Sequence, residues 1–210
     1  MANELPQVNL ELLRSNTGRA QAVANLIGEY QFSEDQVENA ITAYAALLVA
    51  RQEGLVFNAA QLKQGFADTQ WAGRFEIWRE KPPIVLDSAH NPDSISKLHQ
   101  TLDEYFPDLP VVLIFGVSED KEVAEMLKEL SPRLERVIFT RAEHPRAVEA
   151  EKLLKFAEQT GVKSEAIEPV EAAVTRALEI VDEQNILLLS AGSIFVTAAV
   201  RAVLSEKEKS

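Results

Sequence analysis

IVLDSAHNP, residues Ile84–Pro92, is the stretch that decides how this chain folds. Three apolar residues in extended chain end abruptly at Asp87, and a polar turn then leads through Pro92 into a helical pattern. Proline suits the first position of a helix, because it lacks the N–H group that would go unpaired there and its φ angle is already helical. The stretch therefore predicts a strand that feeds a polar turn, and a turn that opens a helix.

Extended segments alternate with amphipathic helices from Arg74 to the end of the chain. Runs such as VVLIF are apolar without alternation, as in strands that are covered on both faces. Strands separated by single helices, with right-handed crossovers, form a parallel sheet. The prediction is an α/β fold with a mostly parallel, doubly wound, Rossmann-like sheet of about six strands and flanking helices. Strands are expected at 74–79, 83–87, 111–115, 136–140, 163–168 and 185–189, and helices at 93–106, 120–130, 149–160, 170–182 and 193–206.

A short helical segment is expected to precede the sheet, over residues 1 to about 70. Apolar residues with helical spacing over 20–27 indicate one helix. A second helix follows Ser33, whose spacing from Gln36 suits a capping box, and Gly54 closes it. So few helices can hardly bury their apolar faces against one another alone, so we expect them to pack on another domain.

Composition narrows the classes of function. The chain carries 21 Lys and Arg against 33 Asp and Glu, a formal net charge of −12 at pH 7. General nucleic-acid binding needs an excess of basic residues near phosphates, so we expect no nucleic-acid partner. The absence of Cys excludes disulfides and thiolate chemistry. The start MANELPQVNLELLR lacks a secretory signal and the apolar runs are short, so we expect a cytoplasmic protein without a membrane partner.

Four loops should converge at one edge of the sheet. In parallel crossovers every strand end that leads into a helix lies on the same side, where ligands of α/β proteins bind. The loops contain a carboxylate, two histidines, a lysine, two arginines and small hydroxyls, and this mixture favours a ligand site. They are Asp87 to Asn91, Gly116 to Lys121, Arg141 to Arg146, and Ser190 to Ser193.

Three residues near the first loop have both a binding interpretation and a structural one. Asp87 either hydrogen-bonds a ribose or caps the turn that follows it. His90 either contacts a phosphate or carboxylate, or orients Asp87. Arg74 follows a glycine where helices give way to the sheet, so it either swings toward an anion or is a surface residue at a strand start.

The other loops offer groups for an anion. His144 and Arg146 form a compact basic turn suited to a carboxylate, although His144 also precedes a proline and can simply shape the loop. Gly192 and Ser193 allow backbone N–H groups at a helix N-terminus to face an anion. No GxxxxGK[ST] loop, GxGxxG loop or nucleophile elbow occurs, and three histidines without Cys argue against a zinc site. The chain has groups suited to binding but no recognisable catalytic motif, and we assign it no metal ligands.

Seven motifs, taken in order, carry a family resemblance. They resemble the C-terminal part of the folylpolyglutamate synthase/dihydrofolate synthase family, within the Mur ligase superfamily. The resemblance implies an ATP-dependent ligase that phosphorylates a folate or dihydropteroate carboxylate to an acyl phosphate. The amine of L-glutamate then attacks, which forms an amide and releases ADP and phosphate. The motifs are LIGEYQ, ENA, QWAGRFE, VLDSAHNP, FGVSEDKE, FTRAEHPRA and SAGSIFV, from about residue 26 onward.

The same resemblance implies roles for individual residues. Asn39 is similar to the asparagine that contacts the nucleotide base, and Asp87 to the aspartate that holds the ATP ribose. Arg74 resembles the linker arginine that meets the terminal phosphates. His90 falls on the family histidine near the nucleotide and the incoming amino acid, which makes Arg74 and His90 the catalytic candidates. Ser193 lies in the segment that holds glutamate, and we add the basic turn at Arg146 as a further substrate contact.

In this family the phosphate loop and the magnesium ligands belong to an N-terminal ATPase domain. We therefore expect residues 1–73 to be the tail of that domain plus a hinge, and residues 74–210 to be the glutamate-binding domain. The fragment is expected to be inactive alone, with ATP and Mg²⁺ used by the whole enzyme. Two alternatives stay open: a stand-alone nucleotide- or metabolite-binding module, and another Mur-type amino-acid ligase. Three positions depart from the family pattern: Tyr30 for histidine, Ser88 for glycine and Glu122 for aspartate.

Overall fold

The computed structural model of the protein describes residues 34–69, 71–118 and 122–209. The chain divides into two compact units, residues 1–70 and 71–210. The helix expected at 20–27, the cap at Ser33 and the departure at Tyr30 lie outside the described residues. So does the end of the second loop, residues 119–121. Assignment of the first unit to an ATPase domain stays a prediction.

The described part of the first unit contains two helices, α1 (Glu34–Gln52) and α2 (Ala59–Ala67). Gly54 follows α1 with a φ of +104°, a conformation that glycine adopts without steric cost, and its N–H donates to the carbonyl of Arg51. A capping box starts α2: Asn58 accepts from the N–H of Gln61, and the Gln61 side chain accepts from the N–H of Asn58, both at 2.9 Å. The buried residues of these helices form a small core of Ala40, Ile41, Tyr44 and Leu62.

The second unit consists of one six-stranded sheet and five α-helices within the described residues. In chain order the strands are β1 (Glu76–Glu80), β2 (Pro83–Leu86), β3 (Val111–Phe115), β4 (Leu134–Phe139), β5 (Lys163–Ala166) and β6 (Leu187–Ala191). The helices are α3 (Pro92–Tyr105), α4 (Val123–Leu130), α5 (Leu154–Glu158), α6 (Val170–Gln184) and α7 (Ile194–Lys207). Two short 3₁₀ helices, Ser131–Arg133 and Ala150–Leu153, precede β4 and α5.

The strand order is β1-β2-β6-β3-β4-β5. All neighbouring pairs are parallel except β1 and β2, which pair antiparallel as successive strands. The last strand, β6, inserts between β2 and β3, with Leu189 opposite both Val85 and Leu113. This arrangement confirms the predicted mostly parallel, doubly wound sheet.

Two apolar cores cover the two faces of the sheet. Helices α3, α4 and α5 pack on one face, and α6 and α7 pack on the other. Strand β3 is buried throughout, and its residues alternate between the cores: Val111, Leu113 and Phe115 face the first, whereas Val112 and Ile114 face the second. The unalternating run VVLIF is apolar because both sides of the strand are covered.

Several bounds differ from the expectation by two residues or more, and two of these differences have a clear local reason. Strand β1 begins two residues late because Gly73 and Phe75 have φ angles of +71° and +45°, which extended chain does not allow. Strand β6 also begins two residues late, since Asn185 adopts a left-handed conformation that caps α6. The helix expected at 149–160 is a 3₁₀ turn followed by the short α5.

A close approach of backbone segments joins the ends of β3, β4 and β6. A Cβ atom on Gly116 would lie 2.4 Å from the carbonyl oxygen of Thr140 and 2.9 Å from a methyl group of Val196. A Cβ atom on Gly192 would lie 2.7 Å from the carbonyl oxygen of Gly116. Only glycine therefore lets these strand ends meet at their observed separation.

We expect Gly116→Ala to lower the free energy of unfolding by about 3 kcal/mol, because the added methyl group overlaps backbone that cannot move alone. Gly161→Ala is the control: Gly161 has a φ of +71° but open space around it, so its cost should be about 1 kcal/mol from conformation alone. Chemical denaturation measures both values. A Gly116→Ala variant as stable as the parent would show that these strand ends do not lie as close together as described.

Candidate functional site

The carboxyl ends of the parallel strands form one edge, and their loops contact one another there. The N–H of Asp87 donates to the carbonyl of Ser190 at 3.0 Å, and the N–H of Gly192 donates to the carbonyl of Ala89 at 2.7 Å. The second and third loops meet where Ser118 pairs with Ala147 in an isolated bridge. Neighbouring strands β2 and β6 send their helices to opposite faces of the sheet, and a crevice opens at such a point.

The carboxylate of Asp87 holds two segments of backbone. Its Oδ1 accepts from the N–H of Ala89, and its Oδ2 accepts from the N–H of Phe75, both at 2.7 Å. The first bond is the turn cap that the structural interpretation predicted. The second bond joins the segment before β1 to the turn after β2, twelve positions along the chain.

The segment around Arg74 is fastened on both sides. The carbonyl of Gly73 accepts from Ser88 Oγ at 2.6 Å, and the N–H of Gly73 donates to Glu76 Oε2 at 2.8 Å. Phe75 is held by Asp87, and its ring lies 5.1 Å from the ring of Tyr105, centroid to centroid.

The side chain of Arg74 itself is exposed. Its guanidinium lies 5.6 Å from the ring centroid of Trp71, which is 67% exposed. The exposed guanidinium of Arg74 therefore extends from a backbone segment that is hydrogen-bonded at both Gly73 and Phe75.

His90 is half-buried in the first turn. Its ring Nδ1 lies 2.9 Å from the carbonyl oxygen of Ser88, and its backbone N–H donates to Ser94 Oγ at 3.0 Å. A carbonyl oxygen can only accept, so Nδ1 carries the proton and Nε2 of the neutral ring is an acceptor. Asn91 then caps α3 in a capping box with Ser94.

Ser193 is buried and caps α7. Its Oγ accepts from the N–H of Phe195 at 3.2 Å. The N–H of Gly192, which the sequence offered to an anion, is bonded to Ala89. The backbone N–H groups at the start of α7 are therefore partly hydrogen-bonded within the protein, and Ser193 lies beside the first loop.

The basic turn of the third loop borders an open cleft of about 580 Å³. His144 and Arg141 line this cleft together with Glu143 and Glu168. Arg146 is exposed and is not among the lining residues. His144 and Arg141 thus line the cleft together, and the substrate contact expected of Arg146 stays a prediction.

Asn39 lies in α1, in the first unit, with an exposed side chain. Its expected contact with a nucleotide base stays a prediction. Within the described ranges, no cluster of three or more His, Asp or Glu side chains is arranged to hold a metal ion. Every helix in the same ranges is too short or too polar to cross a membrane.

Two hydroxyls that shape the site were missed from the sequence. Ser88, 2% exposed, was noted only as a departure from the family pattern, yet it anchors Gly73. Thr197 Oγ1 donates to the carbonyl of Asp87 at 2.7 Å and lies 3.3 Å from Ser190 Oγ. The contact between Thr197 and Ser190 could not be predicted from the sequence, because it depends on where β6 lies in the sheet.

Asp87→Asn should lower the free energy of unfolding by about 2 kcal/mol. An amide has one acceptor oxygen, so its NH₂ group would face one of the two backbone N–H groups that the carboxylate now satisfies. Amide hydrogen exchange at Phe75 and Ala89 should accelerate in the same variant. Asp182→Asn is the control, because Asp182 is half exposed and its ion pair with Arg79 should be worth less than about 1 kcal/mol. Equal stability of the two variants would contradict the bridging role of Asp87.

Comparison with known proteins places these features in a family. A family model described as "Mur ligase, glutamate ligase domain" matches residues 73–193, more than half of the chain. The dihydrofolate synthase/folylpolyglutamate synthase of Bacillus subtilis is 27% identical over 84% of this chain and 40% of its own length. The folylpolyglutamate synthase of Lacticaseibacillus casei is 31% identical over 85% of this chain and 39% of its own.

A solved structure gives the same assignment. Mycobacterium tuberculosis folylpolyglutamate synthase complexed with ADP superimposes with a TM-score of 0.70 and 30% identity, over 81% of this chain and 40% of that one. The chain thus spans about two fifths of the length of these relatives. The resemblance drawn from the ordered motifs is confirmed: the chain belongs to the Mur ligase glutamate ligase domain family, and it is similar to the corresponding part of folylpolyglutamate synthases.

Proposed function

We propose that this chain is the amino-acid-binding part of an ATP-dependent ligase that adds L-glutamate to a folate or dihydropteroate carboxylate. The reaction proceeds through an acyl phosphate, which the amine of L-glutamate attacks to form an amide. The chain acts with an ATPase domain that carries a phosphate loop, a motif that its 210 residues do not contain. Alone it is inactive.

The observation that carries the proposal is the position of the family match. Residues 73–193 begin at the fastened Gly73 and end at the buried Ser193. The match therefore spans the four polar loops predicted to lie at the carboxyl edge of the sheet, together with the loop that follows β5. We place the amino acid at this edge because function resides in such loops rather than in the strands that carry them.

The fixed segment gives Arg74 a defined task. Phosphoryl transfer is accelerated mainly by positioned charges that stabilise the transferring group, and a cation on a rigid backbone loses little freedom when it engages that group. The bonds at Gly73 and Phe75 supply this rigidity. We assign Arg74 to the terminal phosphates. We place His90, whose Nε2 is an acceptor, beside the nucleotide and the incoming amino acid.

We assign a ribose hydroxyl of the nucleotide to the Asp87 carboxylate and the base to Asn39, as the family resemblance implies. The same resemblance assigns the Mg²⁺ ligands to the ATPase domain. When bound, Mg²⁺ would neutralise charge at the phosphates, and in this proposal no side chain of this chain coordinates it.

A domain exchange tests the proposal. The matched region of the Bacillus subtilis relative is replaced by this chain, and ADP formation is measured with folate or dihydropteroate and with L-glutamate. We expect ADP only when both the acceptor and L-glutamate are present, and none from the chain alone. Turnover by the chain alone would contradict the proposal. Use of other amino acids in place of L-glutamate would favour another Mur-type ligase.

Arg74→Ala in the exchanged enzyme should lower kcat about 10²-fold, because one charge that stabilises the transferring phosphoryl group is lost. Arg176→Ala is the matched control, since Arg176 pairs with Glu165 and Glu179 beside β5 and should leave kcat unchanged. If the isolated chain bound ATP tightly and Arg74→Ala did not alter that affinity, a stand-alone binding module would replace this account.

A further inference from the structure

His144 is held by two contacts that fix both the plane and the tautomer of its ring. Its ring stacks on the ring of Phe195, with centroids 4.0 Å apart and an interplanar angle of 20°. Its Nδ1 accepts from the N–H of Arg146 at 3.3 Å. Because a backbone N–H can only donate, Nδ1 is unprotonated and the proton of the neutral ring lies on Nε2. His144 is therefore a hydrogen-bond donor, whereas His90 has the opposite tautomer.

The stack lies where a small polar ligand can reach it. His144 lines the open cleft of the third loop, and Phe195, the second residue of α7, is 44% exposed. A ring that stacks on the imidazole limits its rotation, so Phe195 fixes the plane of the His144 ring. The stack also joins the third loop to the segment that follows Ser193.

Charges of both signs surround the cleft. Arg141 lines it and is exposed, and the charge of Arg141 contributes to the lowered pKa of the nearby Glu149 carboxyl, after the larger effect of Lys152. Glu143 and Glu168 also line the cleft, and Glu168 Oε1 accepts from the backbone N–H of Ala150. A donor imidazole and a guanidinium beside carboxylates suit a zwitterion better than a simple anion.

We propose that Phe195 is a positioning residue that holds His144 as an Nε2–H donor to one carboxylate of an amino acid, with Arg141 as the second donor. The ammonium group of that amino acid lies toward Glu143 and Glu168. This inference rests on the proposed function in taking L-glutamate as the amino acid. It adds a subsite of three residues that the sequence patterns did not assign together.

The tautomers are measured first, on the 210-residue chain without nucleotide. ¹⁵N-labelled histidine spectra distinguish protonated from unprotonated ring nitrogens, and the chain has three histidines, which His144→Gln and His90→Gln assign. We expect Nε2–H for His144 and Nδ1–H for His90. In Phe195→Leu, His144 should become a mixture of tautomers while His90 stays unchanged. Phe195→Tyr, which retains the stack, should restore the single tautomer.

L-Glutamate is then titrated into the same samples. We expect a saturable shift of His144 Nε2 in the parent and in Phe195→Tyr, with a dissociation constant about five- to tenfold higher in Phe195→Leu. Ile194→Ala is the control, because Ile194 is an exposed apolar neighbour at the start of α7 and is not part of the stack. Its dissociation constant should equal that of the parent.

Two results would overturn the inference. One is an Nδ1–H tautomer for His144, or a tautomer that Phe195→Leu leaves unchanged. The other is L-glutamate binding that is absent, or equal in the parent and in Phe195→Leu. Neither result depends on ATP or folate, so the domain exchange can succeed while this inference fails. Conversely, if the chain binds L-glutamate as expected but the exchanged enzyme forms no ADP, the subsite is supported and the proposed ligase function is not.

Discussion

The carboxylate of Asp87 is the constraint on which the site depends. It satisfies the N–H groups of Phe75 and Ala89, and the backbone of the same residue is bonded to Ser190 and Thr197. One residue thus fixes the segment before β1, the turn after β2, the end of β6 and the first turn of α7. Charge-assisted bonds to backbone are strong enough to hold such a junction in one arrangement.

The order of the strands places this junction at a topological switch point, where ligands of α/β proteins bind. β6 is the last strand in sequence but inserts between β2 and β3, and its helix packs on the face opposite α3. The glycines at 116 and 192 let the strand ends approach closely, so the loops share one edge. Binding groups from distant parts of the sequence therefore lie together without a loop of unusual length.

The sequence was sufficient for the fold because local signals and the global pattern agreed. Apolar runs without alternation identified buried strands, and the helix expected at 120–130 buries Val123, Met126, Leu127 and Leu130. The positive φ angles at Phe75 and Asn185 were not predicted, because these residue types seldom adopt them. Loop contacts were harder to predict: the role of Ser88, the stack of His144 on Phe195 and the position of Arg141 on the cleft all depend on tertiary placement.

The central claim is that the carboxyl edge of this sheet binds the amino acid of a ligase reaction. A crystal structure of the exchanged enzyme with ADP and L-glutamate tests it most directly. The account predicts L-glutamate in the crevice bordered by the loops after β2, β4 and β6, with a carboxylate within hydrogen-bond distance of His144 Nε2. L-Glutamate bound on another face of the sheet, or away from these loops, would contradict the account.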